Sequence, residues 1–427
     1  MIMHIHILLA ILAFYSEPSF PTSLVYPPFG HCMGIYRAGT EQLAMLLGGL
    51  VRFDDPQGLA CVKLVEWDGP GTADDDELAV YGVNSGSGHI IYNADMYTLG
   101  LYGGTGSDDD QLRAPHGIAA DPAGLVLVAD TGNERVAVLQ RNGSRIAVEG
   151  FLPWDFQQPW DVALDGSGRV AVSDRAANRL LLFDSIADSL PDEVELESPT
   201  GIDIVETGER WFHTGDGFAA AVAENGTVLV KLVEGEVVDR VELNDFQGEH
   251  LNYPVIDFWG NIWVTDSIAC TVHKFNDQLE YLGSFGSRGT DDREFMFPTG
   301  ITVWRRYGQV FIAEEEGARY FWIGADLLNV RIDVLDPGVR VRGILTEDAL
   351  VRGTVYGPSG EAVHNLAEGR YPAGDFDVEW DGAFERRGRL PDGEYRLEMV
   401  IQPVYSSKGY FKKTIIDDFT LQFPVDQ

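Results

Sequence analysis

The side chains able to do chemistry are few in this 427-residue sequence, and they are scattered. His116 stands alone in Pro115-His116-Gly117, while His213, His250 and His273 occur in other contexts. A zinc site needs roughly three or four protein ligands, so a single imidazole is expected to be hydrogen-bonded rather than metallated. Three acidic runs could offer oxygens to calcium: Asp74-Asp75-Asp76-Glu77, Asp108-Asp109-Asp110 and Asp291-Asp292. Calcium takes about six to eight oxygens, and no run has EF-hand spacing. Solvated turns are therefore the first expectation. The weak metal candidates are Asp108, Asp109, Asp110, Asp291, Asp292 and His116. No cofactor is expected, with calcium as the one exception to be tested. There is no Gly-x-Ser-x-Gly elbow, phosphate loop or dinucleotide fingerprint, so no catalytic residue is assigned. The three cysteines, Cys32, Cys61 and Cys270, build no disulfide framework, although a Cys32–Cys61 bridge is open to them.

The elements that position these residues repeat. One unit runs Pro115-His116-Gly117-Ile118, then Val128-Ala129-Asp130, then Asn133-Glu134-Arg135-Val136. Others start at Pro159-Trp160-Asp161-Val162, Pro199-Thr200-Gly201-Ile202 and Pro298-Thr299-Gly300-Ile301, and one contains Asp257-Phe258-Trp259-Gly260-Asn261. A glycine precedes the end of the second strand by six residues in each: Gly124/Asp130, Gly168/Asp174, Gly208/Thr214, Gly260/Asp266 and Gly308/Glu314. A degenerate earlier unit, Pro56-Gln57-Gly58 to Tyr81, makes six. Short apolar runs between turn residues read as strands. A four-stranded sheet cannot bury both faces alone, so such sheets stack around a channel. The repeat phase places residues 42–47 as the outer strand that closes the last sheet, paired near 319–323.

These units closely resemble NHL repeats, through Pro-x-Gly-Ile, Val-Ala-Asp and Asn-x-Arg-Val, over roughly residues 40–325. The resemblance implies an all-β fold, a six-bladed β-propeller. It also brings enzyme families into view. Amidating lyases of this type gather histidines around a channel metal, but the positions equivalent to His116 are Trp160, Thr200, Asn252 and Thr299. Gluconolactonase-like propellers hold a divalent cation on inner strands, where Asp161 and Asp203 are the candidates here. Trp154, Trp160, Trp211, Trp259, Trp263 and Trp304 could line a groove or pack between blades.

After Tyr320-Phe321-Trp322-Ile323-Gly324 the pattern changes to alternating strands with Pro, Gly and Asp turns. The stretch Gly374-Asp375-Phe376-Asp377-Val378-Glu379-Trp380-Asp381-Gly382, followed by Gly388 and Leu390-Pro391-Asp392-Gly393-Glu394-Tyr395, resembles the immunoglobulin-like domain of the flagellar hook-capping protein. That module is appended to many secreted bacterial proteins. The resemblance implies a β-sandwich with Trp380 in its core. The expected organisation is a signal peptide over 1–20, a propeller over 35–326 and an Ig-like sandwich over 327–427. The apolar Ile7–Phe14 suggests export to the periplasm, cell surface or exterior. It is short for a membrane span, and no other segment could cross. A net charge of −36 excludes nucleic acid as a partner. The expected function is non-catalytic binding or scaffolding, with a protein or carbohydrate ligand on a propeller face and the Ig-like module as spacer or attachment element. The alternative is a metal-dependent lyase or hydrolase acting in the channel.

Overall fold

The computed structural model describes residues 21–67, 77–213, 216–335, 338–383 and 390–422. The expected signal peptide, Asp74 to Asp76, Thr214 and Gly388 lie outside the described residues. Among the described residues, six antiparallel sheets follow one another, with innermost strands Pro56–Val62, Ile118–Ala120, Pro159–Leu164, Ile202–Val205, Leu251–Ile256 and Ile301–Trp304. Each innermost strand packs on the next, and the sixth returns to the first, so the sheets form a closed ring. The architecture is a β-propeller.

The repeated sequence motifs are explained by how closely the innermost strands approach. Gly58 N donates to His116 O at 3.0 Å, and Gly117 N to Trp160 O at 2.9 Å. A Cβ at Gly58 would meet His116 O at 2.8 Å, and one at Gly300 would meet Gln57 O at 2.2 Å. Only glycine admits that contact, hence Pro-x-Gly-Ile. In four of the sheets the second strand ends in an acid, and that acid staples the chain that enters its own sheet. Asp130 accepts from Arg113 N and pairs with Arg135; Asp174 accepts from Gln157 N and Gln158 N and pairs with Arg179. Glu314 accepts from Met296 N and pairs with Arg319. These are charge-assisted bonds to otherwise orphaned amides.

Two expectations are corrected. The fourth sheet's second strand is Phe218–Ala223, not a strand ending at Thr214. Thr200 N and Val222 O bond as His116 N and Ala129 O do in the second sheet. Ala223 therefore occupies the staple position, and the described residues 206–213, with Asp216 and Gly217, belong to the long connection between the first and second strands of this sheet. The ring is also not closed by a strand at 42–47, because Thr40–Leu47 is an α-helix. Glu41, Gln42, Leu43, Ala44 and Met45 are strong helix formers, and Gln42 Oε1 caps Gly39 N. Closure falls to the strands just before it. Leu24–Val25 pairs with Ile323 and Trp322, and Arg37–Gly39 pairs with Arg319 to Gly317, both antiparallel. The last sheet thus takes one strand, Leu24–Val25, from ahead of residue 35. All three cysteines are free, so the Cys32–Cys61 bridge is not formed.

After the ring, a three-stranded sheet (Leu327–Leu335, Gly338–Leu345, Gly374–Trp380) faces a four-stranded one (Ala349–Tyr356, Ala362–Tyr371, Gly393–Pro403, Lys413–Leu421). Val341, Val351, Trp380, Tyr395 and Leu397 are buried between them. This module docks against the fifth and sixth sheets. The Tyr405 hydroxyl accepts from Phe258 N at 3.1 Å, and Ser407 donates to Ile323 O. Beneath them Lys274 pairs with Glu347 and lies 3.9 Å from Asp257, all three buried. Asn261 Nδ2 bonds both acids, and Trp263 Nε1 donates to Asp257 at 2.9 Å. Burial pushes Glu347 up to about 8, against the pull of Lys274. Among the described residues no helix is long and apolar enough to cross a membrane.

Two outcomes are expected. A chain starting at Pro21 retains its melting temperature, whereas one starting at Thr40 loses both closing strands and melts lower by roughly 10 °C or more in a calorimetric scan. The second concerns pH. Between its ordinary value of 4.5 and about 8, Glu347 holds a proton in the folded state that the unfolded chain releases. Stability must therefore fall as pH rises through that window. Urea denaturation from about pH 5 to about pH 8.5 should show that decline, amounting to at most roughly 4 kcal/mol, and Glu347→Gln should flatten it.

Candidate functional site

The innermost strands enclose a channel cavity of about 860 Å³. Its charged lining comes from two places: carboxylates on the strands, and the hairpins where those strands end. Asp161 Oδ2 accepts from Ile202 N of the next sheet at 2.8 Å, and Oδ1 from Val162 N at 2.8 Å. Asp203 repeats the arrangement: Oδ2 accepts from Ile256 N of the following sheet at 2.7 Å, and Oδ1 from Ile204 N at 2.9 Å. Both side chains are struts between neighbouring sheets. At Asp161 the strut fills the place that glycine takes in Pro-x-Gly, and Gly117 makes room for it.

Burial raises both carboxyls, Asp161 well above its ordinary range. Asp203 differs in having a cation. Arg305 Nη2 lies 3.1 Å from Asp203, its Nη1 is 2.8 Å from Glu209, and its Nε donates to Ile256 O. Cys61 also lines the channel. Burial pushes its thiol up to about 12, while the Thr302 hydroxyl sits 3.4 Å away. A thiol so raised is protonated at neutral pH and is no nucleophile.

At the end of the channel where the innermost strands finish, the extended hairpin of the fourth sheet brings Glu209, Arg210 and Trp211 to the mouth. The guanidinium groups of Arg210 and Arg306 lie 4.7 and 4.6 Å from the Trp211 ring centre. Trp304 lines the same cavity, and its Nε1 is buried without a hydrogen-bond partner. Sequence reasoning missed Arg305, Glu209 and this insertion, because the chance glycine at 208 gave the repeat of the fourth sheet a false frame. The apolar Phe218-Ala219-Ala220-Ala221-Val222 run was the signal that could have shown it.

Of the sequence-derived candidates, Asp161 and Asp203 thus line the channel, whereas the histidines and the acidic runs lie elsewhere. His116 belongs to the opposite end of the ring. Its Nδ1 lies 3.0 Å from both Ala114 O and Thr131 Oγ1, and its ring centre is 3.8 Å from that of Trp160. Arg175 lies 4.3 Å from the same indole. Burial lowers His116 to about 4, leaving it neutral at physiological pH. His273 bonds Asp266, and His213 stacks on Phe258. Asp108, Asp109, Asp110, Asp291 and Asp292 are exposed on two equivalent loops, each closed by a parallel bridge, Thr105 to Leu112 and Arg288 to Phe295. Arginines already hold the loop carbonyls: Arg135 that of Asp108, and Arg319 that of Asp291. A cation there would compete with guanidinium charge. Among the described residues no three or more His, Cys, Asp or Glu side chains gather as a metal site.

The ring of sheets, with its repeated staples, defines a β-propeller protein carrying an NHL repeat: residues 112–139, in the second sheet, match the NHL repeat model. No curated protein matches the chain. Among solved structures it is similar to a gluconolactonase from Xanthomonas campestris (12% identity, TM-score 0.47, covering 70% of this chain and 99% of that one). It is also similar to a streptogramin B lyase (15% identity, TM-score 0.44, 64% and 94% covered). A third is a protein of unknown function from Bacteroides thetaiotaomicron (14% identity, TM-score 0.46, 64% and 70% covered).

If Asp203 is a strut, Asp203→Ala should cost about 3 kcal/mol in urea denaturation, since it strands Arg305 and the Ile256 amide. Adding Arg305→Met should recover part of that loss. A chelator should leave the unfolding curve of the natural chain unmoved.

Proposed function

We propose that this chain is a non-catalytic, extracytoplasmic binding protein: a six-bladed NHL-type propeller that holds a carbohydrate ligand at its channel mouth, with an Ig-like sandwich docked as a spacer or attachment element. The domains would span about 35–326, with the closing strands from residue 24 added, and 327–427. The observation that carries this reading is the commitment of Asp161 and Asp203 to backbone amides of the next sheet. Side chains spent on holding the ring together are poorly placed to move protons or grip a metal. What is left facing the mouth suits a polyhydroxylated ligand. Arg306 donates, Glu206 accepts, and Trp211 offers apolar surface. The cavity is of a size that holds small ligands. Placement outside the cytoplasm rests on the apolar N-terminal run and the net charge of −36.

A metal-dependent lyase or hydrolase would use the same channel. What favours it is Asp161, a raised carboxyl with no cation beside it. The two readings separate in one set of measurements on the full chain. A glycan array followed by calorimetry should find a saccharide whose affinity falls roughly tenfold or more in Arg306→Ala and Trp211→Ala at unchanged melting temperature. Near-stoichiometric zinc or calcium in purified protein, with Asp161→Asn losing turnover, would instead establish the enzyme.

A further inference from the structure

Asparagine is followed by glycine twice in the chain, at Asn142-Gly143 and Asn225-Gly226, and each pair lies where one strand turns into the next. This is the pairing in which an asparagine can modify itself. Glycine has no Cβ to shield its amide nitrogen, and its backbone is free enough to bring that nitrogen against the carboxamide before it. Whether the reaction proceeds depends on what else holds the two residues.

Asn142-Gly143 is open. Asn142 ends the strand Arg135–Asn142 and pairs with Arg145, the first residue of the strand Arg145–Phe151. Asn142, Gly143 and Ser144 are exposed, and a Cβ at Gly143 would meet nothing within 4 Å. A carboxylate reaches the turn from the first sheet's side of the ring: Gly143 N donates to Glu66 Oε2 at 3.3 Å. Glu66 Oε1 in turn lies 3.8 Å from Arg141 Nε, which donates to Gly143 O at 2.9 Å. Arg141 is buried, and its other nitrogens donate to Asn93 O and Ala94 O, so it is a fixed post for both the carboxylate and the glycine.

Asn225-Gly226 is held. Gly226 N donates to Ala223 O at 3.1 Å, and Asn225 N to Ser198 O at 3.2 Å. The Asn225 carboxamide oxygen accepts from Arg175 Nη2. Gly226 is buried, and a Cβ there would meet the His250 ring at 2.6 Å and Leu251 O at 2.8 Å. Turning this nitrogen onto Asn225 would break its hydrogen bond and drive the chain into its neighbours.

We propose that Asn142 is a site of self-modification in the folded protein, with Glu66 as the base. The Gly143 nitrogen attacks Asn142 Cγ as Glu66 takes its proton. The Cγ–Nδ2 bond breaks, the proton passes to the departing nitrogen, and ammonia leaves. Water then opens the cyclic imide at either carbonyl, and residue 142 becomes aspartate or a β-linked isoaspartate. Each product places a new carboxyl group beside Glu66. The isoaspartate also inserts a methylene into the backbone just before the outer strand of the second sheet. Asn225 keeps its amide.

The test incubates the full chain at mildly alkaline pH, folded and in urea, and maps its peptides by mass spectrometry with an assay for isoaspartate. In the folded chain residue 142 should convert to a mixture of both products while residue 225 stays intact. Glu66 is exposed, so Glu66→Gln should keep the melting temperature. It should slow the conversion roughly tenfold or more, as loss of a positioned base does. In urea both asparagines should convert alike, and Glu66→Gln should make no difference. The comparison of folded with unfolded natural chain reads the selectivity without any variant. Residue 142 intact in the folded chain after the unfolded chain has converted, residue 225 keeping pace with it, or a folded-state rate indifferent to Glu66→Gln would each overturn the proposal.

Discussion

The structure depends on the close approach of its six innermost strands. A sheet of four strands leaves an unpaired edge, and here those edges are brought together around an axis until backbone meets backbone. Where the meeting is tightest the chain supplies glycine, as at Gly58 and Gly300, whose missing Cβ lets a neighbouring carbonyl in. Where a side chain does fit, it is a carboxylate that bonds the next strand's amide, as at Asp161 and Asp203. Much of the channel follows from that division. Asp161 and Asp203 hold the ring, and Glu209, Arg210, Trp211 and Arg306 stand on the hairpins at its mouth.

Much of this was legible in the sequence, and the reason is local. Pro-x-Gly, the strand-end acid and the arginine five residues after it recur because several sheets solve the same problem with the same bonds. Asp130 with Arg135 and Asp174 with Arg179 are one device written twice. The errors came where that device is absent. Ala223 stands at the staple position of the fourth sheet, so no acid marks the strand end, and a frame ending at Thr214 looked acceptable. The closing strand was placed a few residues too late because Thr40–Leu47 is apolar enough to pass for a strand, although its composition favours a helix.

What no local pattern could show is pairing over distance. Lys274 and Glu347 lie in different modules, and neither makes sense alone: a lysine in a strand that faces inward, and a glutamate among apolar neighbours. Two acids share one lysine there, and the excess charge is relieved by a retained proton rather than by solvent. The partners of Asp161 and Asp203 were hidden for a related reason. From sequence an inner-strand carboxylate looks like a metal ligand, and only the position of the next strand's amide shows it to be a strut.

The pairing of Leu24 with Ile323 has a consequence for how the chain reaches this state. Its partners are separated by about 300 residues, and closing a loop of that length costs on the order of 5 kcal/mol in chain entropy. The first strand to leave the ribosome is therefore among the last to be satisfied, and it must wait until the whole ring sequence has been made. An early-emerging segment that cannot dock keeps the nascent chain open for the time synthesis takes.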